Sequence, residues 1–299
     1  MDMNKIEPHG SSMPYLMKYH EGKIQQGLGI GCQLDDFMRI KKSELCLFLG
    51  HDGVGKTYVM NWIFLCHVLR NKLKVIMWSG ENQKGQIMRD LIQMTAGKPF
   101  KELELGVIRY LHNMLEESFT FVSNKHLYKP EELIEIFGES DAELCLIDPF
   151  TGLDRDMGFE SNYRFLNQAR HFVNTTSKTL FINTHPVSAS GRAGNFFTEG
   201  DFKGCLKAPN RSDIEGGKSF LNRADFLCII HRLTNHPTMK FHTMLSIEKV
   251  KDTETGGAIS ELNSPILAEY NYGMGMKVNG VDPLAKLRPD MNKITKLRL

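Results

Sequence analysis

The 299-residue sequence predicts an α/β protein with a mostly parallel central sheet, flanked by helices and carrying an antiparallel hairpin at one edge. Three observations lead there. Strand-like and helix-like segments alternate along most of the chain, the pattern of a parallel sheet covered on both faces. A glycine-rich octet, Gly50-His51-Asp52-Gly53-Val54-Gly55-Lys56-Thr57, joins a short apolar run to an amphipathic one. The last two strand patterns are separated by only Thr-Asn-His-Pro-Thr (234–238), which suits a hairpin.

In chain order, residues 1–26 are polar and irregular and read as a flexible arm. The run 45–49 (Leu-Cys-Leu-Phe-Leu) has the length and composition of a buried strand, and 57–70 spaces its apolar residues as a helix does. Further strands are expected at 74–78, 119–123, 144–148, 179–184, 226–230 and 243–249. Helices are expected at 82–95, 101–116, 131–138, 161–176 and 213–223. The α/β domain spans 27–275. Residues 276–299 form a basic tail, with Lys286, Arg288, Lys293, Lys296 and Arg298 against Asp290, expected to be solvated.

Composition narrows the function classes. A hydrophobic share of 41% is ample for one large core, while a net charge of +2 neither demands nor excludes nucleic acid. The six cysteines (Cys32, Cys46, Cys66, Cys145, Cys205, Cys228) lack metal-binding spacing and read as reduced core residues. No signal-peptide pattern opens the chain, and the longest apolar stretch, 62–69, is too short to cross a bilayer. A cytoplasmic protein without membrane contact is the expectation.

The octet is a Walker A phosphate loop in its proper context, strand before and helix after. Its glycines let successive N–H groups turn inward toward phosphate oxygens, and the helix N-terminus adds partial positive charge. Gly50 to Thr57, with Tyr58 next, are the candidate nucleotide-binding residues; Lys56 reaches the outer phosphates and the Thr57 hydroxyl can ligate Mg²⁺. A second Mg²⁺-holding carboxylate belongs at the end of a neighbouring buried strand, and Asp148 supplies it. Pro149 follows it, so the base that activates water must come from elsewhere. Glu81, just past the strand 74–78, stands where strand ends converge on the ligand crevice. A helix-initiating acid near an N-cap at Ser79 is the competing reading of Glu81. His185, ending the strand 179–184, is placed to sense the terminal phosphate. The long stretch 187–212 carries Arg192, Lys203, Lys207 and Arg211 among Phe196, Phe197 and Phe202, a mixture suited to single-stranded nucleic acid, although Glu199 and Asp201 dilute its charge.

From about residue 27 to 275, the order of these motifs resembles the RecA-like hexameric replicative helicases. The DnaB type and the helicase half of phage and mitochondrial primase–helicases are the nearest in pattern. The resemblance rests on Leu34-Asp35-Asp36-Phe37 ahead of the first strand, Ser79-Gly80-Glu81-Asn82, and His185. It extends through Asp213-Ile214-Glu215-Gly216-Gly217-Lys218, Ala224-Asp225-Phe226, His231-Arg232, and Ile247-Glu248-Lys249-Val250-Lys251 with Thr255-Gly256. It implies a RecA-like P-loop NTPase using ATP and Mg²⁺, with single-stranded DNA as partner, a homo-oligomer, namely a hexamer, as assembly, and primase or other replisome proteins as associates. It also implies that Lys249 and Lys251, with Arg232, act on the neighbouring subunit's nucleotide. Lys251 stands where the family usually has arginine, and lysine lacks the planar fork that grips phosphate at two points. With only about 25 residues ahead of the match and no zinc-binding primase region, the chain reads as a minimal standalone motor of phage or plasmid type. Two alternatives stand beside the helicase: a RecA- or KaiC-like ATPase that binds DNA or protein without unwinding, and a non-catalytic nucleotide-gated module.

Overall fold

The computed structural model describes residues 6–156, 158–187, 193–261 and 263–296. The elements, in order, are α1 (Met13–His20), β1 (Leu45–Leu49), α2 (Lys56–Asn71), β2 (Val75–Ser79), α3 (Lys84–Ala96), α4 (Leu105–Glu116), β3 (Phe119–Val122), α5 (Pro130–Glu139) and β4 (Leu144–Asp148). They continue as α6 (Phe159–Thr176), β5 (Thr179–Thr184), α7 (Lys218–Arg223), β6 (Phe226–His231), β7 (His242–Val250), α8 (Thr253–Gly256), β8 (Ile266–Tyr270), β9 (Met276–Val278) and α9 (Met291–Lys296). Among the described residues they build one nine-stranded sheet of order β3-β2-β4-β5-β1-β6-β7-β8-β9. Strands β3 to β6 run parallel; β7, β8 and β9 add antiparallel pairings.

Burial on both faces explains the apolar runs. Every residue of β1 is buried, and successive side chains point to opposite sides. Cys46 and Phe48 join the core beneath α2, α3 and α4, with Trp62, Phe64 and Leu91; Leu45, Leu47 and Leu49 join the other core, with Phe137, Phe165 and Phe172 of α5 and α6. Five of the six cysteines are buried and all six are unpaired, as their scatter suggested.

The structure corrects several element boundaries. The helix expected over 101–116 is a short 3-10 turn, Phe100–Glu102, followed by α4, because Leu103 and Glu104 are extended. Only Lys218–Arg223 of 213–223 is helical: Gly216 and Gly217 adopt φ of +102° and +85°, and Pro186 pairs with Ile214. The hairpin of β6 and β7 forms, but β7 is not the edge, since β8 and β9 extend the sheet beyond it. The arm includes α1, a helix with no buried residue. The basic tail is not simply solvated. Leu284 and Ile294 are buried, and Arg288 donates to Met94 O (3.0 Å) and Met274 O (2.9 Å) and pairs with Asp282 (2.8 Å). Among the described residues no helix is long and apolar enough to cross a membrane.

Candidate nucleotide site

The parallel order puts β5 between β4 and β1, so the ends of three strands meet where the phosphate loop begins. Gly50 N donates to Thr184 O (3.3 Å), and a Cβ at Gly50 would lie 2.5 Å from Ile230 O, so the loop leaves the sheet through a gap only glycine fits. Gly53 and Gly55 take φ of +72° and +90° with open space where a Cβ would be; backbone conformation, not room, requires glycine there. α2 then starts at Lys56, leaving its first N–H groups without helical partners and free to meet anionic oxygens.

Lys56 is 7% exposed, and its Nζ donates to Gly50 O (2.8 Å) and His51 O (3.0 Å) and lies 3.5 Å from His185 Nδ1. Burial holds its pKa below the ordinary lysine value, against the pull of Asp148, Asp52 and Glu81. Asp148 closes β4. Its Oδ2 accepts from Thr57 Oγ1 (2.6 Å) and its Oδ1 from Asn183 Nδ2 (2.7 Å). Burial raises its pKa, opposed by those two hydrogen bonds and by Lys56. A hydroxyl and a carboxylate oxygen in contact, beside a cationic loop, are hard donors of the kind Mg²⁺ accepts together with phosphate and water. These residues fit that ion.

Glu81 follows β2, tied to the end of β4 by the hydrogen bond from Gly80 N to Asp148 O (2.9 Å). Its side chain is 63% exposed, with Oε1 4.0 Å from His185 Nε2. His185 also pairs with Asp52 of the loop. α3 does not begin until Lys84, with Gln83 as the flanking residue, so Glu81 lies ahead of that helix rather than in its first turn. Lys56, Thr57, Glu81, Asp148 and His185 thus line one open cleft of about 410 Å³. Tyr58 borders the same cleft, but its hydroxyl accepts from Gly275 N (3.0 Å), which ties α2 to the β8–β9 turn.

Other candidates lie elsewhere. Lys249 is level with Leu227, and Phe226 with Cys46, so Lys249 and Lys251 occupy the end of the sheet opposite the phosphate loop. Lys249 Nζ donates to Leu221 O (2.6 Å) and Lys251 pairs with Asp225 (3.2 Å). Arg232, just past β6, donates to Lys240 O and sits 5.9 Å from the Tyr270 ring. The stretch 187–212, read as structureless, has local order where described: Phe196 bridges Leu206, Lys207 Nζ lies 5.7 Å from the Phe197 ring, and Lys203 and Arg211 are exposed. Arg192 lies outside the described residues. His231 Nε2 sits 2.9 Å from Leu206 O and anchors this segment beside the phosphate loop; burial lowers its pKa to about 4, so near pH 7 the ring is the neutral donor.

Sequence reasoning missed Asn183 and gave Asn82 no role. Asn82 Nδ2 reaches Thr57 Oγ1 (3.5 Å) and Ser79 Oγ (3.4 Å), completing a polar chain from β2 to the phosphate loop. Asn183 carried a readable signal: an amide at the end of an apolar strand must find a partner when buried.

By sequence, the chain matches no protein-family model and no curated protein. Solved structures do match it. A structure described as an isolated ATPase domain aligns with a TM-score of 0.69 at 12% identity, covering 92% of this chain and 100% of that one. A DnaB-like replicative helicase, described with its interactions with primase, aligns with a TM-score of 0.70 at 12% identity, covering 92% of this chain and 69% of that one. The architecture of this chain is therefore the RecA-like fold of DnaB-like helicase ATPase domains, with the mostly parallel sheet and antiparallel edge predicted from its sequence.

Proposed function

We propose that the protein is an ATP-dependent DNA helicase of replicative type, a Mg²⁺-ATPase stimulated by single-stranded DNA, working in the cytoplasm in phage- or plasmid-type replication. The observation that carries the reading is the contact of Thr57 Oγ1 with buried Asp148 (2.6 Å) beside Lys56, in a fold shared with helicase ATPase domains. In this reading the N–H groups of the loop and Lys56 hold the ATP phosphates, and Thr57 and Asp148 hold Mg²⁺, which when bound neutralises charge on the phosphate oxygens. Glu81 accepts a proton from the attacking water. His185, bracketed by Asp52 and Glu81, reports the terminal phosphate to the chain beyond β5.

Lys249 and Lys251, with Arg232, serve the nucleotide of an adjacent copy in a ring, a hexamer in the leading form. What supports this is that both lysines lie at the opposite end of the sheet from their own phosphate loop. Lys203, Lys207, Arg211 and Arg192 contact the phosphates of single-stranded DNA. Primase or another replisome protein is the expected associate, by analogy with the neighbour whose description includes primase.

One observation favours a second reading, a RecA- or KaiC-like ATPase that binds DNA or protein without unwinding. The residue in the finger position is a lysine that pairs with Asp225 of its own chain. ATP-driven strand displacement on a forked duplex decides between them. Displacement that requires hydrolysable ATP supports the helicase, whereas DNA-stimulated turnover without displacement supports the second reading.

A further inference from the structure

α6 opens on an exposed aromatic pair. The rings of Phe159 and Tyr163, one helical turn apart, stack at 6.0 Å with planes 18° apart. They remain 65% and 41% exposed. Arg223 of α7 caps the pair: its guanidinium lies 5.0 Å from the Tyr163 centroid and its Nη2 donates to the Tyr163 hydroxyl (2.6 Å). Lys218, at the start of α7, is exposed. Two aromatic faces left in water beside fixed cations have the composition of a base-stacking platform for single-stranded nucleic acid.

The platform is also joined to the nucleotide cleft. Glu215 N donates to His185 O (3.0 Å), and the Glu215 side chain pairs with Arg155 (3.1 Å). Arg155 in turn reaches Asn162, between the two aromatic residues on α6 (3.4 Å). A short chain of contacts thus runs from the terminal-phosphate side of the cleft to the helix that bears the rings. Glu160 shares the first turn of α6, so net charge there is low and ring stacking, more than charge, would do the recognising.

We propose that Phe159 and Tyr163, with Arg223, bind single-stranded DNA by stacking on its bases, a contact separate from the phosphate-binding loop lysines. The proposal rests on the single-stranded-DNA reading above. It is tested with oligothymidylate on the full chain, using Phe159→Leu, which keeps apolar bulk but removes the π face, and Phe159→Trp, which keeps the face. Loss of one stacked base weakens affinity by about tenfold. Phe159→Leu should show that loss with an unchanged salt dependence, since no charge is removed, and Phe159→Trp should retain affinity. Trp62 and Trp78 are buried, so the indole introduced by Phe159→Trp reports locally, and its fluorescence should be quenched on addition of the oligonucleotide. If the parent binds the oligonucleotide, Phe159→Leu binds equally well and the new indole is not quenched, the platform is wrong and the helicase reading stands. If the parent does not bind it at all, both fall. Unchanged thermal melting and nucleotide binding in Phe159→Leu separate lost stacking from lost folding.

Discussion

The two ends of the parallel sheet are both rich in charge, yet they are built differently. At the phosphate-loop end, left-handed glycines and a helix start hold Lys56, Thr57 and Asp148 together, with Glu81 and His185 facing them across an open cleft. At the opposite end, charges pair among themselves: Lys41 with Asp252 (2.6 Å), Lys251 with Asp225 (3.2 Å), and Asp225 with Arg170 (2.5 Å). The first end leaves donors aimed into a cavity, which is what binding an anion requires. The second leaves a flat, satisfied surface, whose lysines can serve a nucleotide only if another copy brings one to them. Charge content alone does not mark a site; unspent donors around a concavity do.

The largest expected break in this contrast is at Glu81. Glu81→Gln should retain ATP binding and lower turnover by roughly two to four orders of magnitude, because shape is kept and the proton acceptor is lost. Normal turnover in a steady-state ATPase assay would move the base to another carboxylate. Lys56→Ala comes next, with turnover expected to fall by at least about a hundredfold as charge stabilisation at the phosphates disappears. A value within about threefold of the parent would remove the nucleotide assignment from this cleft.

Smaller effects sharpen the comparison. Removing Lys203 and Lys207 together should flatten the salt dependence of single-stranded DNA affinity by roughly 0.7 in log–log slope per lost phosphate contact. An unchanged slope in a salt titration would mean that the loop does not meet the backbone. At the far end, burial pushes Glu44 up to about 7 from an ordinary 4.5, with Lys41 opposing. The folded state therefore binds the extra proton between those values, and this stabilisation is present below about pH 4.5 and lost as pH rises through about 7. Glu44→Gln should match the parent in denaturant unfolding near pH 4 and exceed it by on the order of 1 kcal/mol at pH 8. Equal stability at both pH values would show that Lys41 offsets the burial.

Much of this was legible in the sequence for particular reasons. The phosphate loop, Asp148 and the parallel strands are local signals: glycines where the backbone must turn, and apolar runs where both faces are covered. β8 and β9 were missed because β8 alternates buried and exposed residues over only five positions and β9 has three, beside the left-handed turn of Gly273 and Gly275. The helix expected at 213–223 failed on Gly216 and Gly217, whose conformation depends on the pairing of Ile214 with Pro186 across the loop. Asn183 and Asn82 became meaningful only when the sheet order set β5 beside β4 and brought β2 toward the phosphate loop. The folded-back tail was hidden because Arg288 finds its acceptors far away in sequence, at Met94 and Met274.

The central claim is that each phosphate-loop end works with the opposite end of a neighbouring copy. Subunits carrying Glu81→Gln and subunits carrying Lys251→Ala, each defective alone, should therefore be mixed and their ATP turnover measured with single-stranded DNA across a range of protein concentrations. Recovery of part of the parent's activity in the mixture, rising with concentration as copies assemble, is the predicted result, because some interfaces then join an intact Glu81 to an intact Lys251. Turnover by the parent that is independent of concentration down to a demonstrated monomer, with no recovery on mixing, would contradict it.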